Sequence, residues 1–208
     1  MSNVETFIAA LRSHDDNAAK TFALNVVQEF DARSDYERAK NSENDNIVKT
    51  LNKSSAKLAS VSAARVMMTC NVASSFINRA ERVNAKYNVY ASEKLADIIA
   101  SLRDARCFTN AINNAVIRSM LKCDAKIAFT HKLAIASASD KVNVDATIRK
   151  HLVRHTVSVS TASTQASSTM NALVTANICE EYRDDSNNVA YRLRDNVQVA
   201  ALREIYAK

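Results

Sequence analysis

The chain has 208 residues, 28 Lys and Arg against 22 Asp and Glu, a formal net charge of +6, and neither glycine nor proline. Average usage of about 7% Gly and about 5% Pro would supply roughly two dozen of them in a chain this long. Their absence excludes the P-loop, the glycine-rich dinucleotide turn, the nucleophile elbow and the standard EF-hand loop, which need glycine where backbone bends sharply or approaches a ligand.

Tight hairpins also favour glycine and proline, whereas long helices with few connections need neither. The expected fold class is therefore all-α: an elongated bundle of long amphipathic helices with short Asn/Ser-rich connections and a coiled-coil-like character. Asn can replace glycine at helix C-caps, and Asn41, Asn44, Asn46, Asn113, Asn114, Asn187 and Asn188 stand where turns are expected. With 6% aromatic residues and no Trp, the helices should pack closely around thin cores or bury their stripes against other subunits.

In chain order, Ser2-Asn3-Val4-Glu5 has the spacing of a capping box, followed by the apolar face Phe7, Ile8 and Leu11. Ser13-His14-Asp15-Asp16 is a second start signal, with acids suited to a helix N-terminus. Phe22, Val26 and Phe30 then recur at i, i+4, i+8, predicting a helix over 16–33. Ser34 to Glu37 repeats a box-like signature, and 41–46 is the most loop-like run.

From Ile47 a drifting apolar stripe (Leu51, Leu58, Val61, Met68, Val72, Phe76, Val83, Tyr87, Tyr90) predicts one long helix with no stop before about residue 90. Tyr90 to Glu93 marks a kink or break. Helical spacing resumes through Leu95, Ile98, Leu102, Phe108, Ile112, Val116, Met120, Cys123 and Ile127, then Phe129, Leu133 and Ile135. Ser139-Asp140 reads as a cap, and Val144, Ile148, Leu152 and Val153 open another helix. Residues 156–169 are hydroxyl-rich and read as a linker or a helix in preference to a strand. Met170, Leu173, Val174, Ile178 and Tyr182 predict a short helix, 183–188 a turn, and Val189, Leu193, Val197, Ala200 and Ile205 a terminal helix.

Charge divides the chain. Residues 1–46 hold 5 basic and 9 acidic side chains, 47–160 hold 18 and 7, and 161–208 hold 5 and 6. The organisation expected is an acidic N-terminal arm (1–46), a basic long-helix core (47–157) and a Ser/Thr-rich connection with C-terminal helices (158–208). Three cationic rows at helical spacing fall in the core: Lys49, Lys53, Lys57; Arg79, Arg82, Lys86; and Arg118, Lys122, Lys126. Arg149, Lys150 and Arg154 surround His151 and His155, which share a face if the segment is helical. These twelve Lys and Arg are the candidates for binding a polyanion, through sequence-independent and salt-sensitive contacts. The competing reading is a solvated face whose cations are covered by acids from elsewhere.

No catalytic residue, metal site or cofactor is expected. There is no HExxH or Glu-x-x-His, the cationic neighbours of His151 and His155 disfavour a metal, and the four Cys lack CxxC spacing. The cysteines read as reduced small hydrophobes. Without a signal peptide or a membrane-length apolar run, the expected location is the cytoplasm or a virus particle. No helix-turn-helix, zinc finger or RNA-binding aromatic motif is evident, so base-specific reading is not expected. The leading functional expectation is a non-enzymatic helical structural or assembly protein, of the kind found in phage or virus particles, self-associating or joining other subunits with a basic surface facing nucleic acid. The alternatives are a cytoplasmic, sequence-nonspecific nucleic-acid-binding or regulatory dimer, and a helical protein–protein adaptor.

Overall fold

The computed structural model describes residues 1–41, 43, 45–82, 85–123, 127–184 and 186–207, with the Arg82 side chain outside the description. Among the described residues there are ten α-helices, a 3-10 turn and five short strands in two antiparallel sheets. The fold is thus mixed and mainly helical, which corrects the all-α elongated bundle expected from the missing glycine and proline.

The N-terminal signals form helices as the sequence implies. Ser2 and Glu5 complete a capping box on α1 (Asn3–Ser13), and Glu204 near the far end of the chain accepts the Asn3 and Val4 N–H groups. Asp15 caps α2 (Asp16–Lys40), which runs past its expected end. Ser34 and Glu37 lie buried inside α2 and start nothing, because Glu37 instead takes the buried Arg33 guanidinium at 2.7 Å.

The expected long helix beyond Ile47 is broken. It becomes α3 (Asp45–Leu58) and α4 (Val61–Thr69), with Ser60 capping α4 by accepting the Ala63 N–H. Asn71 then adopts φ 52° and Val72 N–H bonds back to the Met67 carbonyl, a Schellman stop. The 3-10 turn Phe76–Asn78 and a hairpin of β1 (Ala80–Arg82) and β2 (Ala85–Lys86) follow before α5 (Val89–Arg103). Val72, Phe76 and Tyr87 are buried without belonging to an α-helix. Their burial prolonged the apolar period past the helix that started it.

Asn has replaced glycine at several stops. Asn71, Asn177 and Asn187 have positive φ, and so does Ala105, where a Cβ disfavours it. Asn113 and Asn114, expected in a turn, lie within α6 (Ala111–Cys123).

The C-terminal half begins at α6. It continues through β3 (Phe129–Thr130), α7 (His131–Ala138), the short α8 (Ala146–Arg149), α9 (Val159–Thr175), β4 (Cys179–Arg183), β5 (Val189–Leu193) and α10 (Val197–Ala207). The predicted helix through Tyr182 and the terminal helix from Val189 are thus each part strand, while 159–175 is helix. In the three-stranded sheet β5 is central, with β3 and β4 antiparallel on either side. Asp184 shapes the β4–β5 turn: its carboxylate accepts the Ser186 and Asn188 N–H groups while Asn187 supplies the positive φ.

The core is continuous from Phe7 of α1 to Leu202 of α10, with α9 packed against α5, α6 and α7. A polar chain fixes the α9 register. The Thr169 hydroxyl donates to Asn113 of α6, and Asn113 donates to the Lys94 carbonyl and the Asp97 carboxylate of α5. No described helix is long and apolar enough to cross a membrane.

Candidate nucleic-acid interface

Residues 139–158 separate α7 from α9, but the two ends of this excursion meet. Ser139 pairs with Thr156, Asp140 N–H donates to the His155 carbonyl at 2.7 Å, and His155 N–H donates to Ser137 at 2.9 Å. The Ser139 hydroxyl also donates to the Val157 carbonyl at 2.7 Å. The direct route from α7 to α9 is therefore a tight turn, with 140–155 set aside as a loop.

That turn completes a pattern. The order is helix (α6), strand (β3), helix (α7), the short α8 within the loop, helix (α9), strand (β4), strand (β5), with the first strand paired to the last, so α7 and α9 form two helices joined across a pinched turn. In helix-turn-helix proteins the second helix of such a pair enters the DNA major groove. Sequence spacing hides the pair, because residues 139–158 stand where about 3–4 residues usually join two such helices.

Helix α9 buries Ala162, Ala166, Met170 and Leu173 and turns Ser160, Ser163, Thr164 and Ser167 outward. Ala at the inner positions lets it lie close to its neighbours. Ser158 caps it, accepting the Thr161 N–H. The helix carries no charged residue. Beside it, His131 at the start of α7 makes a 2.9 Å contact from Nε2 to the Ser167 hydroxyl, and partial burial pushes the His131 pKa down. Lys132, next to it, is exposed. On the sheet, Glu180 pairs with Arg192 at 2.6 Å and Arg194 at 3.4 Å, and the Arg192 hydrogen bond holds its carboxyl below the usual range. Two acids of the sheet region, Glu180 and Asp184, are thus engaged within it.

A groove of about 760 Å³ continues along the C-terminal half of α9. Ser167, Asn171 and Val174 line it, with Arg79 and Glu81 from the β1–β2 hairpin and Glu181 and Tyr191 from the sheet.

The twelve cations proposed from sequence do not form one surface. Lys49, Lys53 and Lys57 are exposed along α3 as expected, and Lys53 meets Glu93 of α5 at 3.0 Å. The second row is not helical. Arg79 precedes β1 and stacks 5.2 Å from the Tyr87 ring centre, Arg82 ends β1, and Lys86 lies on β2 with its ammonium 4.1 Å from the Tyr36 ring centre. Arg118 and Lys122 are exposed on α6, and Lys126 lies outside the described residues. Arg149 and Lys150 are exposed around the end of α8.

Arg154 has a different role. Its guanidinium donates to the carbonyls of Ala136, Ser139 and Val142, which ties the loop to the end of α7. The helix expected to align His151 with His155 stops at Arg149, so the two do not share a helix face. Among the described residues no group of three or more His, Cys, Asp or Glu is arranged to hold a metal. No family model, curated protein or solved structure matches the chain.

Proposed function

We propose that the chain binds double-stranded DNA through the α6–β5 unit, with the N-terminal half of α9 in the major groove and the β4–β5 turn beside it. The observation that carries this reading is the sheet order β3-β5-β4 joined to a pinched turn between α7 and α9. Fold alone does not establish function, and the surface chemistry supports the same reading. Ser and Thr hydroxyls accept or donate to either base edges or phosphates, and Ser160, Ser163, Thr164 and Ser167 present them on the outer face of α9. An α-helix fits the B-form major groove but not the deep, narrow one of A-form RNA, so DNA is favoured. Lys132 and the loop cations Arg149 and Lys150 supply charge of the kind that phosphates attract. The assembly reading rests on the Ala-rich core, the Asn/Ser-rich helices and the segregated charge, and the DNA-binding reading is preferred for the α7–α9 turn and its sheet.

The test is fluorescence anisotropy with a labelled duplex at low and high salt. The full chain is expected to bind at low salt and release as salt rises. Thr164→Glu should abolish binding by setting a carboxylate against the duplex, while joint replacement of Lys49, Lys53 and Lys57 by Ala should change little. Absence of binding at low salt, or a Thr164→Glu chain that binds like the parent, would overturn the proposal.

A further inference from the structure

The β1–β2 hairpin is held at its root by a buried guanidinium and at its outer edge by partly exposed side chains. At the root, one buried guanidinium holds both sides: Arg33 of α2 donates to the carbonyls of Ile77 and Tyr87 while pairing with Glu37. Tyr87 N–H also donates to the Arg79 carbonyl at 2.8 Å, and Asn78 donates to Glu29. The outer edge reaches α9 through a set of four side chains. Asn171 donates its amide N–H to Glu81 at 2.6 Å. Arg79 donates to the Asn171 amide oxygen at 3.4 Å and to the Thr175 hydroxyl at 3.2 Å, and lies 3.5 Å from Glu81. Asn171 follows Ser160, Thr164 and Ser167 along the outward row of α9.

We propose that this hairpin is a latch on α9, one that covers Asn171 in the free protein and opens when duplex DNA docks; the proposal rests on the DNA-binding reading above. The chemistry of the four groups provides the trigger. Phosphates attract Arg79 and repel Glu81, so an approaching duplex weakens both sides of the Arg79–Glu81 contact together. The Arg79 side chain is 44% exposed and that of Glu81 26%, so their contact is already solvent-screened and salt-sensitive. Release frees the Asn171 amide, whose donor and acceptor match adenine N7 and N6 in the major groove. The buried Arg33 root keeps the hairpin attached while its edge swings away. Binding is then weaker than α9 could support, because part of the affinity is used to open the latch.

The experiment measures the affinity of the full chain for a mixed-sequence labelled duplex, with Glu81→Ala, Asn171→Ala and the double variant. Glu81→Ala should bind about tenfold tighter, the worth of one charge-assisted hydrogen bond no longer broken on docking. That gain should disappear in the double variant, since removing a carboxylate alone would help both backgrounds equally. Hydrogen exchange on the unmodified chain supplies a readout that needs no substitution: amides of 80–82 and of 85 and 86 should exchange faster with duplex present. Duplex binding that Glu81→Ala leaves unchanged or weakens, or a gain that persists without Asn171, overturns the latch and leaves DNA binding standing. Slower hairpin exchange on binding overturns it too. A chain that binds no duplex in any form overturns both.

Discussion

Ser139 and Thr156 face each other as an isolated antiparallel pair, and that pairing turns the long α7–α9 connection into a turn with a loop attached. The Arg154 guanidinium locks the pair from the loop side by reaching three carbonyls around it. The orientation of α9 thus depends on a residue that the sequence presents as one more surface cation.

Arg154→Ala should therefore act on stability first. Leaving those partly buried carbonyls without their charged donor should cost about 2 kcal/mol, read as a lower urea midpoint at unchanged slope. Arg154→Lys should recover only part, since an ammonium cannot reproduce the planar fork. A phosphate-contacting role would instead leave the midpoint alone and reduce the salt dependence of duplex binding.

Helix stops without glycine lead to a contrasting pair of outcomes. Ala105 has φ 48° and its side chain has no described hydrogen-bonding role, so Ala105→Gly should raise stability by about 1 kcal/mol by relieving the Cβ clash. Asn177 has φ 52°, but its amide also donates to the carbonyls of Cys70 and Asn71 at 2.8 and 3.2 Å. Asn177→Gly should therefore lower stability despite the easier backbone. Thermal unfolding of the two variants beside the parent separates conformational relief from lost bonding.

Some helix starts and stops were open to reading in advance, and the missed parts, the fold class among them, have physical causes. The capping box at Ser2, the start at Asp15 and the glycine-like use of Asn follow from local rules that tertiary contacts did not override. The helix predicted through the 70s failed because burial and helicity diverge there: Phe76 and Tyr87 stack edge-to-face at 5.2 Å in the core from outside any α-helix. The β4–β5 hairpin failed because Ile178 and Tyr182, or Val189 and Leu193, satisfy helical spacing as well as a strand does. Strand β3 is Phe129 and Thr130 alone, too short for any period to register. The cationic rows were visible as charge, but nothing in a sequence distinguishes exposed Lys49 from Arg154, whose donors are spent on backbone.

Buried thiols, together with the buried phenol of Tyr87 and the partly buried phenols of Tyr191 and Tyr206, whose pKa values burial also raises, act on stability at alkaline pH. Burial pushes the Cys70 thiol up to about 12 and the Cys123 thiol up to about 11, and Cys179 is raised further. An ordinary cysteine thiol titrates at about 8.5. Above it the unfolded chain loses thiol protons that the folded chain keeps, so the folded state binds more protons and stability falls as pH rises. Each fully buried thiol contributes about 1.4 kcal/mol per pH unit within its window. Lys94 acts in the opposite sense, since burial lowers its pKa and its folded form gives up a proton earlier. The thiols outnumber it, so urea midpoints should decline steadily from pH 9 to 11, and Cys70→Ala should flatten the decline. A midpoint that holds or rises over that range would contradict this.

Thiol accessibility follows from the same burial. Cys107 is exposed and the other three cysteines are buried and free. An aromatic disulfide reagent should titrate one thiol in the native protein and four in denaturant, and Cys107→Ser should remove the fast one.

Hydrogen exchange of the full chain with and without duplex DNA reports where the duplex sits. A duplex docked on α9 should slow exchange at the N-terminal half of that helix, residues 159–167, and around the β4–β5 turn at 186–188, with α3 unchanged. Slowed exchange along α3 beneath Lys49, Lys53 and Lys57, with α9 unaffected, would contradict that placement.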